Sequence, residues 1–291
     1  MEVKVLKVNA FTESLHGGNP AGVVFDSPIL SDEQRKQISK ELQVSETAFV
    51  FPSKVADFKV RFFSPTIEVN LCGHATIATY FSMAATGMLS PKKDLVVTQE
   101  TKAGILPVHV YFNDDMKVNR VMMTQTKPIY KNIHIDISLI ADVLTVSTHD
   151  IDDSFPKQIV STGLFTLPIC IKSYDALKNI HPDFENVKKL CERIGSGSMH
   201  VFTFETIEPK SLYHARNFAP VYGVNEDPVT GTANGAICSY LVKHKIIEEK
   251  SVICEQGDII GRPGRVFVEM HNDTARVGGR AKIVQERIID V

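Results

Sequence analysis

The chain repeats one loop-and-helix pattern about 155 residues apart, and this duplication constrains the fold more than any other feature. The first copy runs Arg61-Phe62-Phe63-Ser64-Pro65, then Leu71-Cys72-Gly73-His74-Ala75-Thr76, then an apolar stretch to Gly87. The second runs Arg216-Asn217-Phe218-Ala219-Pro220, then Val229-Thr230-Gly231-Thr232-Ala233-Asn234, then an apolar stretch to Lys245. Each reads as strand, long polar loop, Gly, small polar residues and helix. The sequel repeats too: Leu95-Val96-Val97-Thr98-Gln99-Glu100 leads to Gly104, and Ser251-Val252-Ile253-Cys254-Glu255-Gln256 leads to Gly261 and Gly264. Such self-similarity predicts a duplicated domain with pseudo-twofold symmetry. Helix N-termini attract anions through N–H groups that lack an intrahelical partner and through the macrodipole. Two such turns facing each other would form a carboxylate-sized pocket.

At 291 residues the chain is expected to hold two domains, 1–115 and 116–280, with the final strand 281–291 a candidate to return to the first. A net charge of −2 gives no basic footprint, so neither nucleic acid nor an anionic membrane is an expected partner. The first eight residues alternate like a strand and lack the apolar core of a signal peptide. No apolar run approaches the roughly 20 residues of a membrane-spanning helix. The five cysteines are scattered, with no C-x-x-C pair, which excludes a disulfide framework and fits a reducing cytoplasm.

Patterning places strands at 3–11, 21–25, 48–51 and 58–63, and a helix from Ser31 with Gln34 as its capping-box partner. A helix opens at Gly73, followed by strands at 95–98 and 105–112. The second half reads as a strand at 118–125, helices at 136–144 and 183–193, and strands at 201–204 and 212–218. A helix at 231–245 and strands at 252–255, 265–269 and 275–283 complete it. The fold class is α+β: a sheet curled around one long helix, made twice.

Three polar residues stand where chemistry is possible. Glu46 lies in Val44-Ser45-Glu46-Thr47-Ala48-Phe49, where apolar neighbours would partly desolvate a carboxylate and suit it to general acid/base work. A surface Glu near a helix end is the plainer reading. His74, after Gly73 at a helix start, could donate to a substrate oxygen or relay a proton; a buried His bonded to backbone is the alternative. Asp227 precedes Pro228, which favours extended backbone, while Gly231 permits close approach of a ligand and Thr232 is a candidate N-cap or ligand donor. A capped helix start with Asp227 as a turn residue is an equal reading. Neither loop carries the Gly-Lys-Ser/Thr of a triphosphate site, and Gly195-Ser196-Gly197-Ser198 lacks the third Gly of a dinucleotide fingerprint. No His/Asp/Glu cluster has metal-ligand spacing, so no metal is expected.

At these residues the chain resembles the PhzF-like family, the phenazine-biosynthesis isomerase group, and is more distantly similar to diaminopimelate epimerase. The matching segments are Asn9-Ala10-Phe11-Thr12 with Gly18-Asn19-Pro20-Ala21-Gly22-Val23, Ser45-Glu46-Thr47-Ala48-Phe49, Arg61-Phe62-Phe63-Ser64-Pro65, Cys72-Gly73-His74-Ala75-Thr76 and Glu226-Asp227-Pro228-Val229-Thr230-Gly231-Thr232-Ala233. The resemblance implies two pseudo-symmetric epimerase-like domains, each a sheet wrapped around a central helix, with the site in the cleft between them. It implies no cofactor, a homodimer, and a small carboxylate-bearing substrate. Glu46 matches the Glu that shuttles the proton, with His74 and Asp227 assisting. Asn19, Gly73, Gly231 and Thr232 match substrate-binding positions, although Thr232 stands where the family often has Ser. The epimerase branch uses one cysteine in each repeated loop; Cys72 fits the first, but Thr230 occupies the second. Cys72 is therefore read as a small buried residue beneath the loop. The expected function is a cofactor-independent isomerase moving a proton on a small carboxylate. The rivals are an amino-acid epimerase or racemase using Cys72, and a binding module without chemistry.

Overall fold

The computed structural model, which describes residues 1–25 and 30–291, divides the chain into two units. One comprises residues 1–124 and 278–291, the other residues 125–277. The elements of the first stretch are β1 (Glu2–Ala10), β2 (Asn19–Val24), α1 (Asp32–Leu42), β3 (Thr47–Phe51), β4 (Phe58–Phe63), β5 (Glu68–Val69), α2 (Gly73–Ala85), β6 (Asp94–Thr101), β7 (Gly104–Phe112) and β8 (Val118–Thr124). There follow β9 (Ile129–Asn132), α3 (Ile137–Leu144), β10 (Gln158–Ser161), β11 (Phe165–Cys170), α4 (Tyr174–Lys178), α5 (Phe184–Ile194), β12 (Ser198–Thr203), β13 (Tyr213–Ala219) and β14 (Val224–Asp227). The chain closes with α6 (Gly231–Lys243), β15 (Ser251–Gln256), β16 (Gly264–His271), β17 (Thr274–Gly279) and β18 (Ala281–Asp290).

Both units follow one plan of strand pairing. In the first, β2 runs parallel to β3, β3 antiparallel to β4, β4 antiparallel to β5 and parallel to β6, and β6 antiparallel to β7. In the second, β11 runs parallel to β12, β12 antiparallel to β13, β13 antiparallel to β14 and parallel to β15, and β15 antiparallel to β16. Each parallel pair needs a crossover, and a helix supplies it: α1 joins β2 to β3, while α4 and α5 join β11 to β12. β8 continues the first unit antiparallel to β7, and β18 returns along β1.

Alternation along the strands sorts the first unit's core into two faces. Leu6, Val8, Ala21, Val23, Val60 and Phe62 pack with Ala75 and Ala78 of α2. Their neighbours Val5, Val24, Phe49 and Phe63 pack on the other face with Ile38 and Leu42 of α1. Ser31 and Gln34 close the capping box that starts α1, as the spacing predicts. α2 touches β1, β2, β3, β7, β8 and β18, so the sheet wraps it. Ala75 through Tyr80 are all buried, so the helix has no solvent face to mark with charge. Two of its buried hydroxyls are satisfied locally: Thr76 donates to the Cys72 carbonyl at 2.8 Å and Thr79 to the Ala75 carbonyl at 2.7 Å. α6 of the second unit is built alike, and Ser239 donates to the Gly235 carbonyl at 2.8 Å. Each unit is thus a sheet packed around one central helix, the α+β plan expected from the sequence.

Sequence patterning does not reveal β9, β10, β11 or α4. It also merges β17 and β18, which separate at Arg280, and extends the 231–245 helix two residues past its end at Lys243. No helix among the described residues is long and apolar enough to cross a membrane.

Candidate active site

Glu46 sits in the short link between α1 and β3. The link begins at Gln43, which takes a left-handed φ of 53° to end α1. It is then fixed by Gly22, whose N–H donates to the Glu46 carbonyl at 3.0 Å. A Cβ at Gly22 would come within 2.4 Å of Thr47 Oγ1, so this approach of β2 to β3 requires glycine. The Glu46 carboxylate thereby reaches the N-terminus of α2, where its Oε2 lies 3.3 Å from His74 Nε2. Both side chains are mostly covered, at 22 % and 13 % exposure, yet open to solvent. Ser45 Oγ is also 3.3 Å from His74 Nε2, and Cys72 Sγ is 3.4 Å from His74 Nδ1.

The fold therefore brings Glu46 and His74 together. Cys72 is buried in the packing beneath α2, as its reading as a small core residue expects, but its thiol also faces the imidazole. Sequence spacing shows no metal-ligand cluster, yet Glu46, Cys72 and His74 present ligand-type atoms all within 4.8 Å of one another. Glu46 lies too far along the chain from the Cys-x-His pair for any spacing rule to join them.

No side chain caps α2; Cys72 occupies the N-cap position in extended backbone, with φ −138° and ψ 117°. Gly73 opens the helix with nothing within 4 Å of where a Cβ would project, so packing does not demand glycine there. Together these leave the first turn open to an anionic group.

The second unit repeats the turn. Thr230 takes the N-cap position of α6 with φ −118° and ψ 104°, close to Cys72, and again no side chain caps the helix. This corrects the candidate N-cap Thr232, which lies inside the first turn; its carbonyl accepts from Thr162 Oγ1 at 3.1 Å. The Thr230 hydroxyl donates instead to the Asp227 carboxylate. Behind them stands the fully buried Gln256. Its amide donates to the Asp227 carbonyl at 2.9 Å and to Thr230 Oγ1 at 3.1 Å, and accepts from Thr230 N at 3.1 Å and Asn234 Nδ2 at 2.8 Å. Tyr213 donates in turn to Asn234 Oδ1 at 2.7 Å. Sequence reasoning missed this bracing by Gln256 and Asn234. For Asn234 the available signal was an amide among the small and apolar residues of a helix, since a buried amide needs partners; Gln256, between Glu255 and Gly257, gave no such signal. Asn19 is buried at the start of β2, paired with Ala10.

A bidentate Arg–Glu pair fastens each loop upstream. Arg61 donates through Nε and Nη2 to Glu68, both at 2.8 Å, and Arg216 does so to Glu226 at 2.9 and 2.8 Å. Each guanidinium lies 4.9 Å from the ring centre of the Phe two residues on, Phe63 or Phe218. The hydrogen bonds from Arg61 hold the Glu68 carboxyl down at about 2.

Comparison with known proteins follows the same lines. The family profile described as phenazine biosynthesis-like protein matches residues 8–287. An uncharacterized isomerase of Bacillus subtilis, YfhB, is 37 % identical over 283 residues, covering 97 % of this chain and 94 % of its own. The trans-2,3-dihydro-3-hydroxyanthranilate isomerase of Pseudomonas aeruginosa is 29 % identical over 273 residues, covering 93 % of this chain and 91 % of its own. Among solved structures, a PhzF-family phenazine biosynthesis protein of Bacillus anthracis superposes with a TM-score of 0.91 at 32 % identity, covering all of both chains.

Proposed function

This chain belongs to the phenazine biosynthesis-like family and is an isomerase, and from that premise we propose that Glu46 moves a proton between two positions of a small carboxylate-bearing substrate. The observation that carries the reading is the Glu46–His74 contact of 3.3 Å at the uncapped start of α2. A substrate carboxylate at that helix end meets N–H donors and a favourable dipole. Glu46 takes a proton from a carbon next to a conjugated system, and the C–H electron pair enters that system. Glu46 then returns the proton at a different carbon, so the product is an isomer and the carboxylate is regenerated. His74 fixes the carboxylate's orientation through its imidazole. Positioned proton transfer of this kind contributes about 10²–10⁴-fold to a rate. Asn19 and Gly73 are proposed as further substrate contacts, and Asp227, Gly231 and Thr232 stand at the equivalent turn of the second unit. The hydrogen bonds of Thr230 and Gln256 support a fixed position for the Asp227 loop.

The test is deuterium incorporation from D2O into a panel of small carboxylates, including dihydro-hydroxyanthranilate and common amino acids, read by mass spectrometry. Exchange at carbon is expected for the wild type and is expected to fall by at least about 100-fold in Glu46→Gln, which keeps the shape but cannot accept a proton. Undiminished exchange in the variant overturns the role of Glu46.

One observation favours a second reading, epimerisation through a thiol: Cys72 Sγ lies 3.4 Å from His74 Nδ1. Against it, the equivalent N-cap position holds Thr230, so the symmetric pair of thiols is missing. Alkylation of Cys72 that abolishes exchange, with protection by substrate, would favour the thiol.

A further inference from the structure

We propose that Glu46, Cys72 and His74 form a binding site for a borderline-soft divalent cation of the zinc class, and that the cation switches the isomerase off. The argument is geometric. A tetrahedral zinc ion, with bonds of about 2.0–2.2 Å to nitrogen and oxygen and about 2.3 Å to sulfur, spaces its ligand atoms roughly 3.3–3.6 Å apart. Here His74 Nε2 lies 3.3 Å from Glu46 Oε2 and 3.8 Å from Cys72 Sγ, and the three donor types fall within 4.8 Å of one another. The backbone thus gathers the three donors; Cys72 Sγ lies nearer Nδ1, at 3.4 Å, so the imidazole must turn to aim Nε2 at an ion shared with the thiol and the carboxylate.

The donors also differ in chemical kind. Thiolate and imidazole prefer zinc-class ions, whereas magnesium and calcium prefer all-oxygen sites, so the set selects the former. All three residues come from fixed positions. Cys72 and His74 flank the first residue of α2, and Glu46 is held by the Gly22 N–H. Three protein ligands leave the fourth tetrahedral position open to water or to a substrate carboxylate. The partial exposure of Glu46 and His74 gives the ion a route in.

Binding follows from the donor geometry alone. Its inhibitory consequence rests on the reading of Glu46 as the base, because a carboxylate bound to a cation cannot accept a proton from carbon.

The intact protein, stripped with chelator, would be titrated with Zn2+ against a chromophoric competitor, with Mg2+ as the control ion. Co2+ would serve as a spectroscopic probe, since a thiolate ligand gives a near-ultraviolet charge-transfer band. The expected result is one Zn2+ per chain, indifferent to excess Mg2+, and a Co2+–thiolate band that disappears in Cys72→Ser. Zinc affinity is expected to fall by at least about 100-fold in that variant, at or beyond the upper end of what losing an outer-shell partner costs. Glu46→Gln, closer in shape, is expected to keep the band and weaken binding. Absence of stoichiometric binding in the folded wild type, or binding unchanged in both variants, overturns the site. In the deuterium-exchange assay, Zn2+ is expected to stop exchange and chelator to restore it. Zinc bound at these ligands with exchange undiminished would overturn the role of Glu46 as base and leave the metal site standing.

Discussion

At the scale of single residues, the two Arg–Glu pairs show what the duplication preserves. Arg61 and Arg216 are visible as a repeat in the sequence, but their partners are not, because Glu68 lies seven residues on and Glu226 ten. The unequal spacing hides the pairing that β4–β5 and β13–β14 bring about, in which Phe63 faces Glu68 and Phe218 faces Glu226. The pairs are not energetically equal. Arg216 is 8 % exposed against 25 % for Arg61, and it also donates to the Leu177 and Ile180 carbonyls at 3.2 and 2.8 Å. Removing one partner of a buried pair costs about 3–5 kcal/mol, while exposed pairs are worth about 0–1 kcal/mol. Arg216→Met is therefore expected to lose about 3 kcal/mol or more in urea unfolding, and Arg61→Met distinctly less. Equal losses would show that the extra carbonyl bonds and deeper burial of Arg216 contribute nothing.

At the scale of elements, glycines in the two central helices serve opposite purposes. Gly235 lies in the buried body of α6, where a Cβ would approach Gln125 Oε1 to 2.1 Å and Val277 Cγ1 to 2.8 Å. Replacing a helical glycine by alanine gains about 1 kcal/mol of propensity, but overpacking a core costs about 1–3 kcal/mol. Overpacking against two neighbours outweighs the gain, so Gly235→Ala is expected to lower the melting temperature. Gly73, with open space around it, is expected to tolerate alanine without loss of stability. Its methyl would instead enter the space proposed for substrate, so Gly73→Ala is expected to raise KM for exchange while unfolding stays unchanged. A Gly73→Ala variant with wild-type KM would remove that residue from the substrate site. The helices themselves were legible because each follows a glycine and a run of small apolar residues. β10 and β11 were not, since Gln158–Ser161 and Phe165–Cys170 are short and their alternation spans too few residues to register. They become legible once the repeat is carried through, because a duplicate of β1–β2 must precede a duplicate of β3. Glu46 was legible as a candidate from its apolar neighbours and more sharply from the family's motif, whereas its contact with His74 depends on the β2–β3 approach that Gly22 permits.

At the scale of the whole molecule, the buried titratable groups predict an order of acid sensitivity. His200 in β12 is fully buried, and burial pushes its pKa down to about 4, against the hydrogen bond to Asn217. An unfolded His takes up its proton near 6.5. Stability from His200 is thus complete above pH 6.5 and is lost as pH falls toward 4, by about 3 kcal/mol in all. His244, also pushed down by burial and by Lys243, acts in the same sense. Both belong to the second unit. Glu255, in that unit too, behaves differently: burial raises its pKa, but hydrogen bonds from His214 and from the Ile207 and Glu208 N–H groups outweigh this and hold it at about 2. Glu68 in the first unit is held at about 2 by Arg61. Carboxylates held down keep their contribution above the ordinary value of 4.5 and lose it as pH falls through 2. Between pH 6.5 and 4, then, His200 and His244 weaken the second unit, and as pH falls below the ordinary carboxylate value Glu68 and Glu255 weaken both. Hydrogen exchange at pH 5 is expected to show faster opening of amides in β12 and β13 relative to pH 7, with amides of β3 and β4 unchanged. His200→Gln is expected to remove most of that difference, whatever its effect on stability at pH 7, because glutamine does not titrate. If the variant keeps the wild-type pH dependence between 6.5 and 4, buried His200 is not its source.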